Sequence, residues 1–262
     1  MDLKKYFNEY KDLGVVVIPK VFNLKEINSL RSAALTSLTK LSEINRNGYK
    51  HKAIEYFKIN NNISPSIIFW PSLASARMNA FRTHKKLVSV VSFFLGNNVK
   101  QLNNQFYFRL PGDGDSFAWH QDVMFRKPIE RHPHMVKDDG YLQTSIVVDE
   151  ITNENSPIEY ILGSNRLGNL KLDENKNWKG LRGYSSNEIP YNARNLICKK
   201  IYALPGDLII WSSLTIHGSS QNLSNSSRMY YMNGFANAKN AFDWPWYIKS
   251  GSICELNPSE IP

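Results

Sequence analysis

Cysteine is scarce in this sequence. The 262 residues include two cysteines, Cys198 and Cys254, which are 56 positions apart (254 − 198). Two such distant thiols cannot build the dense disulfide framework of a small secreted domain, and they lack the close spacing of a zinc knuckle. We therefore interpret both as free thiols and expect the protein to work in the reducing cytoplasm.

Long apolar runs are absent as well. No window of the chain approaches the roughly 18 uncharged apolar residues that a membrane-spanning helix needs. The opening residues Met1–Phe7 mix charged and apolar side chains and lack the apolar region of a signal peptide. These two absences predict a protein with no membrane segment and no secretory leader.

Negative charge is in the minority. Lysine and arginine total 32 residues against 23 for aspartate and glutamate, which gives a net charge of +9. A basic surplus can indicate a nucleic-acid partner, but here the lysines are dispersed and no basic run marks a nucleic-acid arm. We therefore predict no nucleic-acid partner.

What is present is an ordinary globular composition, with 42% hydrophobic and 21% charged residues. The first part of the chain has helical patterns. Asn23 and Glu26 form a capping-box pattern before a helix whose apolar residues recur at helical spacing from Leu24 to Leu38. Further elements are predicted at residues 2–11 (helix), 15–18 (strand), 54–59 (one strand within the loop-like stretch 40–66) and 73–95 (helix, ended by Gly96).

The pattern changes after residue 98. Short apolar runs separated by glycine and proline turns predict antiparallel strands of a sandwich or barrel. These runs are Val99–Leu110, Leu142–Val148, Ile158–Leu162, Lys200–Ala203, Leu208–Trp211 and Met229–Ala236. We predict one domain over 1–262, mainly β: a helical part (1–98) packed on one sheet of a double-stranded β-helix, or cupin-like jelly roll (99–240), and a C-terminal tail (241–262).

A histidine and an aspartate stand two positions apart in Trp119-His120-Gln121-Asp122. On a strand, residues i and i+2 face the same side, so His120 and Asp122 can converge on one ion. His217, which follows the predicted strand Leu208–Trp211, is the candidate third ligand. Two histidines and one carboxylate on one face of an octahedral ion leave positions open for a co-substrate and oxygen. The bland alternative, a polar strand end, stays open on this motif alone.

Arg228 comes eleven residues after His217 (228 − 217), at the start of an apparent strand. If residues 218–227 form a turn, Arg228 returns alongside the strand that carries His217. A guanidinium in that position could hold a carboxylate through two parallel hydrogen bonds. The alternative is a surface arginine.

Taken together, these segments resemble the phytanoyl-CoA dioxygenase family of Fe(II)/2-oxoglutarate oxygenases, over nearly the whole chain. The opening from Phe7 to Pro19 and the helix from Leu24 are similar to the family's N-terminal pattern. The other similar segments are Gln105–Gly112 leading to Trp119–Asp122, Asp149–Pro157, Leu162–Asn165, Pro205–Leu208 and His217–Asn222 with Arg228. Two departures are Asn165, where the family often has histidine, and Arg109, where it often has lysine.

The resemblance implies roles for particular residues. It implies that His120, Asp122 and His217 bind iron and that Arg228 anchors the distal carboxylate of 2-oxoglutarate. It implies co-substrate contacts for Gln105 and, as weaker matches, for Ser145 and Ser219. Because residue 122 is an aspartate, the resemblance argues against a halogenase, which leaves that position vacant for halide.

The function we expect is therefore oxidation of a C–H bond of a small metabolite by Fe(II), 2-oxoglutarate and O2, with release of succinate and CO2. Hydroxylation, desaturation and ring closure are not distinguished by the sequence. A catalytically inactive jelly roll that binds a small molecule is the alternative, and a cupin-like hydrolase or isomerase would leave Arg228 unexplained. We expect a monomer or homodimer acting on a small molecule, with specificity set by loops 123–140 and 166–196.

Several other residues carry weaker expectations. His132 and His134 are predicted to lie in a polar lid loop rather than to form a second metal site, and His51 and His84 are predicted to lie at the surface. Aromatic residues predicted to be core or pocket lining are Trp119, Phe125, Trp211, Tyr230, Trp244 and Trp246.

Overall fold

In a computed structural model of the chain, the residues described are 2–46, 53–59, 62–112, 116–126, 134–137, 141–172 and 189–261. The helices are α1 (Leu3–Leu13), α2 (Leu24–Arg46), α3 (Pro71–Ala74), α4 (Ala76–Arg82), α5 (Lys85–Leu95) and α6 (His134–Lys137). Within these residues, no helix combines the length and the apolar character that crossing a bilayer requires.

The described strands belong to two antiparallel sheets. The larger sheet contains β1 (Val15–Ile18), β2 (Ile54–Ile59), β3 (Asn62–Phe69), β4 (Val99–Arg109), β6 (Leu142–Val147), β9 (Leu208–Ser212), β11 (Arg228–Asn237), β12 (Trp246–Lys249) and β13 (Ser252–Ile253). The smaller sheet contains β5 (Phe117–His120), β7 (Glu159–Ile161), β8 (Cys198–Lys200) and β10 (His217–Ser219).

The strand order identifies a jelly roll. The larger sheet runs β1-β9-β6-β11-β4-β12-β13, with β3 also paired to β4 and β2 to β3, while the smaller sheet runs β5-β10-β7-β8. Apolar side chains from the inner faces of both sheets form one buried cluster, in which Tyr160 of the smaller sheet meets Trp211 and Tyr230 of the larger. The predicted fold, a cupin-like jelly roll, is confirmed.

A second core cluster lies on the opposite face of the larger sheet. There, helices α1, α2, α4 and α5 contribute side chains such as Leu30 and Val91, which pack with strand residues such as Phe106 and Ile210. The alternation of strand side chains explains both clusters, because successive residues of one strand face opposite layers. The N-terminal helices therefore cover one sheet, and the other face of that sheet is left for the site.

The start of α2 follows the predicted capping box. The Asn23 side chain accepts from the Glu26 backbone N–H at 2.9 Å, and the Glu26 carboxylate accepts from the Asn23 N–H at 2.7 Å. The carboxylate also binds Lys86 of α5, which ties α2 to α5. His84 was predicted to lie at the surface, but it is half-buried. Its side chain caps the start of α5 by accepting a hydrogen bond from the Lys86 N–H.

Two sequence predictions are wrong in this region. The helix predicted from Leu73 to Leu95 is three helices, because Ser75 and His84 cap new helix starts and interrupt the pattern. The loop predicted over 40–66 contains β3 as well as β2, even though Pro65 interrupts donation within β3. Pairing of β3 with β4 extends the sheet and overrides the weak local preference.

The segment after residue 240 is joined to the larger sheet. Strand β12 pairs with the beginning of β4, and β13 pairs with β12. The guanidinium of Arg82, at the end of α4, donates to the Cys254 carbonyl at 3.1 Å. The last residues thus help to close the end of the sheet that lies beside α4.

Candidate active site

Residues of neighbouring strands form rows across the inner face of the larger sheet. Trp211, Gln143, Gly234 and Asn103 occupy one row, because β9, β6, β11 and β4 pair in that register. The next row contains Ser145, Met232 and Gln105, and the third contains Tyr230 and Tyr107. Arg228 and Arg109 form the fourth row, at the far end of the sheet.

The smaller sheet and the turn after it bring His120, Asp122 and His217 together. His120 ends β5 and pairs directly with His217 at the start of β10. Each imidazole Nε2 lies 3.7 Å from an oxygen of the Asp122 carboxylate. The candidate ligand atoms of the three buried residues all lie within 4.8 Å of one another. The structure thus brings together the three residues that the sequence singled out.

Asp122 reaches this position by a different route from the one predicted. It does not continue β5 but begins a 3-10 turn, Asp122–Phe125. The preceding Gln121 is fully buried, and its side chain holds the turn by donating to the Leu214 carbonyl and accepting from the Leu170 N–H. The convergence of His120 and Asp122 therefore depends on the anchored turn and not on the period of a strand.

Backbone carbonyls orient both imidazoles. His120 Nδ1 lies 2.7 Å from the Ala118 carbonyl, and His217 Nδ1 lies 2.9 Å from the Thr215 carbonyl. A carbonyl can only accept, so each Nδ1 carries the proton and each Nε2 presents its lone pair toward Asp122. Such orientation by a second partner is typical of histidines that bind metal.

The charges of the site also suit a cation. Burial and the neighbouring His217 lower the pKa of His120 from 6.5 to about 4, so its imidazole is neutral at pH 7. Burial by itself would raise the pKa of Asp122, but the two imidazoles and a hydrogen bond from Trp211 outweigh it and lower that pKa. The His120 imidazole and the Asp122 carboxylate are thus in the forms that bind a divalent ion, so the residues fit a metal.

Trp211 contacts two members of the cluster. Its indole Nε1–H donates to Asp122 Oδ2 at 2.8 Å, and its ring centroid lies 5.9 Å from that of His217. Trp211 is buried, and β1 and β6 flank its backbone on either side. The hydrogen bond holds Oδ2 in place, while Oδ1 lies near His120 Nε2.

Replacing Trp211 with phenylalanine is expected to weaken metal binding about 10–100-fold, as is usual when an outer partner of a metal ligand is lost. The aromatic ring is retained, so the packing changes little, but the carboxylate loses its fixed orientation. Anaerobic titration with Fe(II) measures the effect. Trp244→Phe, in the separate cluster with Leu102 and Ala241, is the matched control. Equal affinities for the two variants would argue against an orienting role for Trp211.

A cavity of about 310 Å³ opens beside the three residues. The family resemblance implied that four residues contact the co-substrate. Gln105 and Ser219 line this cavity, whereas Ser145 and Arg228 are not among the described residues of its wall. The other lining residues are Glu55, Ile67, Phe69, Tyr107, Phe117, His120, Asp122, Phe125, Arg126, Gln143, Ile158, Trp211, His217, Gly218, Tyr230 and Met232. The size suits a small organic molecule.

Arg228 lies across the interior from the histidines. The turn prediction that placed it beside the strand of His217 is wrong, because β10 pairs with β5 and β7 while Arg228 pairs with Arg109 in the larger sheet. Arg228 is fully buried, and its guanidinium carbon lies 5.5 Å from the centre of the Tyr230 ring. It therefore belongs to the space between the sheets and is not a surface arginine.

Tyr160 connects the region of Arg228 to the cluster. Its ring stacks on His217 with centroids 5.4 Å apart, and Arg228 acts electrostatically on its hydroxyl. Burial raises the pKa of Tyr160 well above its ordinary value, so the hydroxyl stays protonated. This buried hydroxyl has no hydrogen-bond partner among the described residues.

Sequence reasoning missed Glu55, Arg126 and Gln143 on the cavity wall. Gln143 carried a signal, because it is a polar residue within the apolar run Leu142–Val148. Glu55 and Arg126 carried none, since ordinary charged residues on a strand and a loop do not indicate a cavity. His134, which was predicted in a lid loop, is the first residue of α6 and is exposed. His51 and His132 lie outside the described residues, as do most of the predicted loops 123–140 and 166–196.

A family model described as phytanoyl-CoA dioxygenase matches residues 10–230. The chain belongs to the phytanoyl-CoA dioxygenase family. It is therefore a non-haem iron, 2-oxoglutarate-dependent dioxygenase, which confirms the predicted class and cofactors. Membership of an enzyme family disfavours the alternative of a catalytically inactive binding module.

Individual relatives of this family member are distant. A protein of Stutzerimonas stutzeri, described as a probable alpha-ketoglutarate-dependent hypophosphite dioxygenase, is 22% identical over a 252-residue alignment that covers 90% of this chain and 78% of that one. Crystalline EctD from S. alaskensis, with 2-oxoglutarate and 5-hydroxyectoine, matches with a TM-score of 0.70 at 17% identity, over 97% of this chain and 81% of EctD. The carbocyclase SnoK from nogalamycin biosynthesis matches with a TM-score of 0.66 at 15% identity, over 97% and 94%. At such identities the solved structures support the fold alone.

Proposed function

We propose that this dioxygenase oxidises a C–H bond of a small polar organic metabolite, most simply by hydroxylation, and that His120, Asp122 and His217 hold its iron. The observation that carries the proposal is the preformed cluster. Two imidazoles with fixed Nε2 lone pairs and an ionised carboxylate converge at the edge of a cavity of about 310 Å³. That donor set suits Fe(II) and leaves open positions on the ion.

Iron with bound 2-oxoglutarate supplies the oxidising power, which comes from O2 and is coupled to release of succinate and CO2. The chain contributes position and shielding. Trp211 and the carbonyls of residues 118 and 215 hold the ligands in place before any ion arrives. The aromatic wall, with Phe117, Phe125 and Tyr107, limits water around the reacting C–H bond.

The co-substrate is proposed to extend from the cluster toward Arg228. Gln105 and Ser219 line the cavity on this path, and Ser145 lies in the same row as Gln105. At its far end, the buried Tyr160 hydroxyl could donate to the same distal carboxylate as the Arg228 guanidinium. A charged and a neutral donor together match the acceptor sites of a carboxylate.

The cavity wall supports a metabolite with both apolar and polar parts. The wall contains apolar side chains such as Ile67, Phe69 and Met232, and it also contains the charged Glu55 and Arg126. Hypophosphite and 5-hydroxyectoine, named for the relatives above, are small and polar. Desaturation or ring closure remains compatible with the same site, and SnoK is described as a carbocyclase.

The test is anaerobic titration of the protein with Fe(II) and then 2-oxoglutarate, followed by a screen of small metabolites for succinate release in air. We expect a weak visible charge-transfer band with both components present, and none with Fe(II) alone. We also expect at least one metabolite to accelerate succinate release. A protein that binds small metabolites but gives neither signal would be a binding module, and the proposal would be wrong.

A further inference from the structure

One row of the larger sheet is arranged around a missing side chain. Gly234 of β11 lies between Asn103 of β4 and Gln143 of β6, and it pairs with both. A Cβ atom at residue 234 would lie 2.8 Å from Gln143 Oε1 and 2.9 Å from Asn103 Oδ1. The glycine therefore lets the two amides approach each other above its backbone, where Asn103 Nδ2 donates to Gln143 Oε1 at 3.2 Å.

This contact satisfies only half of the Gln143 amide. The side chain is fully buried, yet its Nε2 finds no hydrogen-bond acceptor among the described residues. A buried donor without an acceptor is unfavourable, because it has lost its hydrogen bonds to water. Gln143 also lines the cavity, so a molecule bound there lies beside this side chain.

The position of Gln143 separates it from the proposed co-substrate anchor. Gly234, its partner in β11, is six residues from Arg228 (234 − 228), which is roughly 20 Å along a strand. On its other side, Gln143 pairs with Trp211, whose indole binds Asp122. Gln143 thus lies in the row that contains Trp211, which contacts the three-residue cluster, and this row is far from that of Arg228.

We propose that Gln143 is a specificity-determining residue whose Nε2–H donates to an oxygen acceptor of the primary substrate, so that the substrate carries a carbonyl, carboxylate or hydroxyl oxygen close to the oxidised carbon. This inference rests on the proposed function for the identity of the ligand as a substrate. Asn103 holds the Gln143 amide oxygen and so fixes the direction of the Nε2–H group. A ligand that lacks an acceptor leaves this Nε2–H donor unpaired. Selection against such a ligand follows from the cost of that unpaired group.

The test uses protein labelled with ¹⁵N at glutamine side chains. The Gln143 resonances are assigned as the NH2 pair that disappears in Gln143→Leu. The probe is 2-pyrrolidinone, which has a carbonyl acceptor, and its control is cyclopentane, an uncharged ring of the same size that has none. Both are titrated into metal-free protein and into Zn(II)-loaded protein with 2-oxoglutarate, where no turnover occurs.

We expect 2-pyrrolidinone to shift the Gln143 pair and cyclopentane to leave it in place. Binding of 2-pyrrolidinone should weaken about three- to tenfold in Gln143→Leu, the factor expected for one hydrogen bond. Gln143→Glu should weaken it as much, because glutamate keeps the acceptor for Asn103 but loses the donor. Weakening in Gln143→Leu but not in Gln143→Glu would overturn the donor role.

Two further outcomes are decisive. An unmoved Gln143 pair, up to the highest concentration of 2-pyrrolidinone at which the protein stays folded, would overturn the proposal. If the Fe(II)–2-oxoglutarate charge-transfer band is absent but 2-pyrrolidinone still shifts the Gln143 resonances, the proposed function is wrong. The Gln143 amide would then still be a ligand-binding group. The metal-free titration keeps these two failures distinguishable.

Discussion

Asp122→Ala is expected to abolish substrate-dependent succinate formation while the protein still unfolds cooperatively. The change removes the only carboxylate of the described three-residue cluster, so two neutral imidazoles remain to hold Fe(II). The loss of iron affinity should exceed the roughly 10–100-fold effect of losing an outer partner. The core between the sheets and the core under the helices contain no part of this carboxylate, so the fold should persist. Iron titration, succinate release and thermal unfolding on one preparation measure all three quantities.

The control for Asp122→Ala is Glu55→Ala, which removes a different carboxylate from the same cavity. Glu55→Ala should keep its iron affinity, because Glu55 is not part of the cluster. The unfolding temperature of Asp122→Ala reflects two opposed effects: Trp211 loses its acceptor, and a buried charge disappears. An Asp122→Ala protein that turns over at a near wild-type rate would contradict the assignment of the iron ligands.

Arg228→Ala is expected to leave iron binding almost unchanged and to weaken 2-oxoglutarate binding by roughly 2–5 kcal/mol, as for one member of a buried charge pair. The guanidinium is fully buried between the sheets, so an anionic ligand there would gain strongly from it. Arg228→Lys should restore part of the affinity, since one ammonium group cannot reproduce the planar fork. The charge-transfer band, titrated with 2-oxoglutarate at saturating Fe(II), gives the 2-oxoglutarate affinity, and a separate titration with Fe(II) gives the iron affinity.

Arg126→Ala is the matched control for this second prediction, because Arg126 lines the cavity and Arg228 does not. If Arg228 is the anchor, Arg126→Ala should change 2-oxoglutarate affinity little. If Arg126→Ala loses the affinity and Arg228→Ala keeps it, the co-substrate lies toward the opposite side of the cavity. The assignment carried over from the family resemblance would then be wrong for this chain.

Local patterns predicted much of the fold. The capping pair of Asn23 and Glu26 depends on residues three positions apart, and the structure contains both hydrogen bonds. The six apolar runs predicted as strands after residue 98 correspond to β4, β6, β7, β8, β9 and β11, with boundaries that moved by a few residues. Strands β12 and β13 lie in the segment that was predicted to be a C-terminal tail. Two predictions were wrong. Strand β3 pairs with β2 around Pro65 and with β4 at its last residues, 67–69, and β4 is a partner that the local pattern does not reveal. The long helix predicted from Leu73 is divided at Ser75 and His84, whose side chains cap new helix starts.

The candidate site divides in the same way. His120, Asp122 and His217 could be named from a short motif and a family resemblance, because chemistry restricts which residue types can serve as metal ligands. Their convergence depends on Gln121, which holds the turn through the Leu214 carbonyl and the Leu170 N–H. Trp211 was predicted as core or pocket lining, but its hydrogen bond to Asp122 spans 89 positions of sequence.

By itself, the sequence determined the jelly-roll class and the candidate ligands through residue type, short spacing and turn residues. The iron and 2-oxoglutarate chemistry followed from the resemblance of its ordered motifs to one family. Only the tertiary structure decided that Arg228 lies in the larger sheet, at the far end from the row of Gln143, and that Gly234 leaves space for the Gln143 amide. Both depend on strand register, which brings residues from distant parts of the chain into one row. Register is determined by packing over whole sheets, so no local pattern in the chain encodes which side chains share the cavity.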